Sequence, residues 1–171
     1  MRHRKQWLIG LFIILIIGIG GKWYMDEQEK AKLHEIQTDL ANYLYNNYRI
    51  YTFDEQERAQ LEKRYNKGNG DLSYREYSNK LDEIAKYSDI TKIKFTRFSV
   101  SPMKMLKVHY TINNKLDKQT YLNTISAETN KLVFKIGEHE GEGPYYLEKK
   151  PTATNLSVPE NLVTYDEGGI R

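Results

Sequence analysis

The chain has 171 residues, with 26 Lys and Arg against 23 Asp and Glu, a net charge of +3, and no cysteine. The missing cysteines exclude a disulfide scaffold, a thiol nucleophile and a Cys-based zinc site. The basic balance belongs to the N-terminus: without residues 1–22 the chain carries 22 basic and 23 acidic residues, with no patch suited to nucleic acid.

The N-terminal stretch "MRHRKQWLIGLFIILIIGIGGKWYMDE" holds no charged or polar side chain from Leu8 to Gly21, and both tryptophans of the chain bracket it. At ~1.5 Å per residue, Trp7 to Tyr24 spans roughly 26 Å, close to the ~30 Å of a bilayer's hydrocarbon core. Lys22 can extend its ammonium to the headgroups, and Trp7, Trp23 and Tyr24 suit the membrane interface. This pattern predicts a cytoplasmic n-region over 1–6 and a transmembrane signal-anchor over 7–25. The alternative is a cleaved signal peptide with Gly18-Ile19-Gly20 as the small-x-small pattern, although no polar stretch separates it from the apolar core. Arg2, Arg4 and Lys5 precede the run, whereas Asp26, Glu27 and Glu29 soon follow it. The positive-inside rule therefore puts the N-terminus in the cytoplasm and the rest outside.

An α+β domain is expected over 26–137. In "DEQEKAKLHEIQTDLANYLYNNY", Leu33, Ile36, Leu40, Tyr43/Leu44 and Asn47/Tyr48 recur at helical steps. Two shorter helices follow: "TFDEQERAQLEKRY" with Asp54 as N-cap, and "SYREYSNKLDEIAKY" with Ser73 and Glu76 as a capping box. The second is expected to bury Tyr74, Tyr77, Leu81 and Ile84.

After Ser88 the period changes to two. "ITKIKFTRFSVSP" slips phase near Arg97, which predicts a bulge. "MLKVHYTIN" directs Leu106, Val108, Tyr110 and Ile112 inward, and Lys107, His109 and Thr111 outward. "KQTYLNTIS" and "KLVFKIG" would complete a four-stranded antiparallel meander carrying the long helix and the helical pair. Residues 138–171 hold three of the four prolines and no sustained period, and read as a mostly disordered tail in which Tyr145-Tyr146-Leu147 can add an edge strand.

The linker "YNKGNGDLSYREY" resembles the second half of an EF-hand calcium loop. Around Gly70 as the turn glycine, Asn69, Ser73 and Glu76 fall where that resemblance places calcium ligands, Glu76 being the bidentate carboxylate. Tyr65 and Lys67 fall at the two earliest ligand positions and offer no suitable oxygen. A Gly-rich turn between two helices is the plainer reading.

The anchor, the helix ending "YLYNNYRI" and "ITKIKFTRFSVSPMKMLKVHYTINN" together resemble small Gram-positive envelope proteins of unknown function. Those carry an N-terminal membrane segment and a cystatin-like or NTF2-like α+β domain. The resemblance is one of architecture, implies no cofactor and carries over no active-site residue.

His3, His34, His109 and His139 fall at no metal-ligand spacing, and Ser99, Ser101 and Ser126 lack a nucleophile elbow. The reading is non-enzymatic. The fourteen tyrosines all follow the apolar run; Tyr43, Tyr74, Tyr77 and Tyr110 read as core, and Tyr121, Tyr145 and Tyr146 as a surface for a protein partner at the cell envelope. Two roles are open: an anchored binding or accessory module on the lipid bilayer, and a structural subunit of an envelope secretion or conjugation machine. Cleavage of the leader would make the protein a secreted one.

Overall fold

The computed structural model describes residues 27–66, 72–129, 131–141 and 143–170. Residues 1–26, with the n-region, the apolar run and its flanking Trp7, Lys22, Trp23 and Tyr24, lie outside the described residues, as do 67–71. Among the described residues no helix is long and apolar enough to cross a membrane.

The chain divides into two compact units. One holds the described residues up to Leu44, Thr91–Ile136 and Leu156–Arg171; the other holds Tyr45–Ile90 and Gly137–Asn155. Each is closed by a segment from beyond Glu138.

In the first unit, helix α1 (Glu27–Asn47) buries Leu33, Gln37, Leu40, Ala41 and Leu44. The buried stripe includes Gln37 where the sequence suggests Ile36, which is only half-buried. Burial of this amide is tolerated because both ends of it are hydrogen-bonded to the backbone of Asp166. Strands β3 (Ile93–Val100), β4 (Leu106–Ile112) and β5 (Leu116–Tyr121) form an antiparallel run, numbered after two strands of the other unit. Its register shifts between Phe95 and Arg97, where the sequence predicts the bulge. Leu106, Val108, Tyr110 and Ile112 are buried at 1% exposure or less, so the inward face of β4 is the one the alternation specifies.

The four-stranded meander is corrected in two respects. "KLVFKIG" forms no strand; it contributes an isolated bridge between Ile125 and Leu132, and Phe134 packs against the Tyr43 ring of α1 instead. The fourth strand is β7 (Val163–Thr164), which lies parallel to β3 and gives the order β5-β4-β3-β7, a mixed sheet. Beyond it, Ile170 bridges Phe98, and Tyr165 packs on both Phe95 and His34.

The second unit has a sheet of its own, which the expected fold lacks. Strands β1 (Tyr48–Thr52), β2 (Lys86–Ser88) and β6 (Tyr145–Lys149) pair antiparallel in the order β2-β1-β6. Helices α2 (Glu55–Asn66) and α3 (Tyr74–Ile84) lie between β1 and β2 in sequence. Asp54 caps α2 by accepting the N–H groups of Gln56 and Glu57 at 3.0 and 3.3 Å.

α1 runs into β1 without a loop, which leaves its last carbonyls without helical partners. Segment 150–154 supplies them. Lys150 N donates to Asn47 O, Lys150 Nζ to Tyr45 O and Thr154 N to Asn46 O, and the ammonium suits the negative end of the helix dipole. Together with β6, these contacts replace the mostly disordered tail with ordered chain.

Candidate functional site

The second unit's sheet gathers aromatic and charged side chains on one face because its register aligns them. Tyr51 pairs with Tyr87 on β2 and with Tyr146 on β6, and Arg49 pairs with Glu148. Side chains opposite one another in register share a face. Tyr51 and Tyr146 stack at 5.2 Å between ring centroids, with Phe53 meeting Tyr51 edge-on. The Arg49 guanidinium lies 3.7 Å from the centre of the Tyr87 ring and forms an ion pair with Glu148 at 2.6 Å. Arg58 of α2 donates to Tyr146 Oη at 2.7 Å and pairs with Glu62.

Tyr51 Oη and His139 Nδ1 are 2.8 Å apart. Burial, with Glu148, Tyr146 and Tyr87 nearby, pushes the Tyr51 phenol up to about 12, against an opposing pull from Arg58. The phenol therefore stays protonated at neutral pH and shares a hydrogen bond with the imidazole. Tyr146 is buried in this stack at 7% exposure. It is a core ring and not the partner contact expected of it. Tyr145, on the other face of β6, is half-buried.

Tyr121 lies in the first unit on the outward face of the four-stranded sheet. It is half-buried, opposite Lys107, whose Nζ is 5.8 Å from its ring centre. The sequence-selected tyrosines are thus divided between the two units. On the same outward face, Ser99 Oγ and His109 Nε2 share a hydrogen bond of 2.7 Å. Burial, then Arg97 and Lys107, holds His109 below the usual histidine range. A neutral imidazole beside a hydroxyl is half of a nucleophile-activating arrangement. Among the described residues no carboxylate orients its other nitrogen, and the pair lies on an open strand face.

Ser73 and Glu76 form the capping box that the sequence suggests at the start of α3. Ser73 N donates to Glu76 Oε2 at 2.8 Å, Ser73 Oγ lies 2.8 Å from the same oxygen, and Glu76 N donates back to Ser73 Oγ. These bonds, the backbone one first, lower the Glu76 carboxyl below its ordinary range. The oxygen that the calcium resemblance assigns to a cation is thus engaged in capping the start of a helix. Asn69 lies outside the described residues. Among those described, no three His, Cys, Asp or Glu side chains group as a metal site.

Tyr74 and the other apolar residues of α3 are not buried as the spacing suggests. Tyr74 is 73% exposed, and Tyr77 stacks on Tyr65 of α2 at 4.6 Å. The groove between α2 and α3, about 210 Å³ and lined by Leu61, Arg64, Lys80 and Ile84, is smaller than the ~300 Å³ at which ligand pockets begin. Sequence reasoning missed Arg49, Tyr51, Arg58 and Tyr87. For Arg49 and Tyr51, their alternation within "YRIYT" was the available signal.

Set against known protein families, curated proteins and solved structures, the chain matches none of them.

Proposed function

We propose that this is a single-pass membrane-anchored extracytoplasmic protein that binds a protein partner at the cell envelope, and that it acts by binding, not by catalysis. The observation that carries the reading is the charge asymmetry around an uncharged run. Arg2, Arg4 and Lys5 precede Trp7–Gly21 with no acid among them, and Asp26, Glu27 and Glu29 follow it. Trp7, Lys22, Trp23 and Tyr24, which flank the run, are residue types suited to a membrane interface. The balance of 22 basic and 23 acidic residues beyond it favours a protein or lipid partner over nucleic acid.

The binding role draws support from the chemistry of the described side chains. The Tyr51 phenol, pushed up to about 12, stays protonated within an aromatic stack, and the Ser99–His109 pair stands on the outward face of its sheet. Protease added to intact cells, followed by alkaline carbonate extraction of the membranes, tests the reading. The expected outcome is digestion of the C-terminal part from outside and retention of the N-terminal fragment in the membrane pellet. A chain protected from external protease, or one released by carbonate, would overturn it.

A further inference from the structure

The turn joining β3 to β4 ends the outward face on which Ser99, His109 and Tyr121 lie. It is a tied turn: Ser101 N donates to Met105 O at 2.8 Å, Lys104 N to Ser101 O at 2.8 Å, and Met105 N to Ser101 Oγ at 3.0 Å. Ser101 is buried, whereas Met103 at the apex is 76% exposed and Val100 beside it 37%. Met103 is thus held outward by a fixed turn, away from the core, whereas Val100 stands opposite the buried Leu106 on the inward face.

The surroundings of Met103 define a partner for it. Lys104 follows it directly. Register places Arg97 opposite His109 and Ser99 opposite Lys107, a block of four on the outward face next to the turn. Among the described residues, Arg97, Lys104 and Lys107 form no ion pair with an acid. The acid on the outward face of this sheet, Asp117, stands near its other end, opposite Thr111, whose hydroxyl it accepts at 2.6 Å. Lys94 is also at that far end, and Gln119 faces His109 from β5. The depressed His109 agrees with the block, since Arg97 and Lys107 are close enough to disfavour its protonation.

We propose that this end of the β3–β4 hairpin docks on an anionic lipid surface. Met103 enters the boundary between headgroups and acyl chains, Arg97, Lys104 and Lys107 lie among the lipid phosphates, and Tyr121 sits at the interface. Charge complementarity selects anionic headgroups, and the apex thioether selects a surface that can be penetrated. Met103 projects at the apex at 76% exposure, as a side chain that enters a surface must. The inference rests on the proposed membrane tethering and adds a second, peripheral contact to it.

The absence of cysteine makes the test clean, because Met103→Cys carries a single environment-sensitive fluorophore. The full chain is reconstituted with vesicles of phosphatidylcholine, alone or mixed with phosphatidylglycerol, and probed with spin-labelled quencher lipids. Lys115→Cys, in the turn at the other end of β4, is the control. The label at 103 is expected to shift to the blue and be quenched in the anionic vesicles, while the label at 115 stays in water. Each of Arg97→Gln, Lys104→Gln and Lys107→Gln should lower the ratio of docked to undocked label about fivefold. A label at 103 that stays in water on anionic vesicles overturns the proposal, as does equal insertion with and without phosphatidylglycerol. Occlusion of the label by polyglutamate in detergent would overturn it in favour of an acidic protein segment. Flotation with phosphatidylcholine vesicles reports the tether separately: a chain that floats with an unquenched 103 label keeps the tether and loses the docking. A chain that floats only with anionic vesicles, its 103 label quenched, loses the tether and keeps the docking.

Discussion

Gln37 and Asp166 are joined by two hydrogen bonds that copy the pairing of neighbouring strands. Gln37 Nε2 donates to Asp166 O at 3.1 Å, and Asp166 N donates to Gln37 Oε1 at 2.7 Å. A helix side chain thereby satisfies both backbone groups of a residue 129 positions away, at a place where Gln37 itself is 1% exposed. Gln37→Leu keeps the volume and leaves both backbone groups without a partner. It should cost about 1–3 kcal/mol by chemical denaturation and make the chain after Leu156 sensitive to limited proteolysis. Unchanged proteolysis there would mean that β7 and Tyr165 hold the segment without the clamp.

Tyr110 is 1% exposed with its hydroxyl 2.9 Å from Thr120 Oγ1, and burial pushes its phenol up to about 12. The ordinary phenol titrates near 10. Between those values the unfolded chain releases the proton while the folded chain keeps it, so stability falls as pH rises, by about 1.4 kcal/mol per unit for this group. Tyr110→Phe should flatten the alkaline limb of a stability–pH curve measured with urea. It should also lower stability at neutral pH, because Thr120 is left buried without its partner.

His109 gives the opposite limb. Its folded value lies below the ordinary one, so on acidification the unfolded chain takes up the proton first. Stability should decline as pH falls below about 6.5, and His109→Gln should remove part of that decline. An NMR titration of the imidazole carbons checks the sign directly. A value above that of a free histidine would refute the electrostatic account of Arg97 and Lys107.

Arg49 and Glu148 form a half-buried pair beneath the Tyr87 ring. A double-mutant cycle with Arg49→Ala and Glu148→Ala should give a coupling of about 1 kcal/mol, near the upper end for pairs reached by water. Arg49→Lys keeps the charge and loses the flat guanidinium over the ring, so it should recover only part of the loss.

At the start of α3, Ser73→Ala removes the hydroxyl that accepts Glu76 N and should cost about 1 kcal/mol. The lowered Glu76 value contributes stability above the ordinary carboxyl range, and that contribution is lost as pH falls through the folded value. With Glu76 occupied by Ser73, a melting scan with and without millimolar calcium should show no shift. A clear rise in Tm that Glu76→Gln abolishes would restore the calcium reading.

The parts of the fold legible in the sequence are those whose signal is local. β4 alternates strictly, so its inward residues could be named, and the phase slip at Arg97 marked the bulge. Asp54, Ser73 and Glu76 announced two helix starts. The second sheet was not legible, because its strands pair residues as distant as Arg49 and Glu148, and nothing in either segment names its partner. Tyr48 continues the helical spacing of α1, which hid the change to strand at that residue. β7 has two residues and lies parallel to β3, too short to leave a period. Tyr146 shows the limit of composition: an aromatic in a polar stretch reads as surface until β1 and β6 bring it against Tyr51. α3 shows the converse, since an apolar stripe needs a second neighbour to cover it, and Tyr74 has none within its helical pair.

Both sheets are completed by strands that come late in the order of the described elements. β6 completes the smaller sheet after the whole of Thr91–Ile136 has intervened, and β7 with Ile170 completes the larger one after β6. Neither sheet can reach its final strand order from its first strands alone, so each depends on pairing across a long stretch of intervening chain.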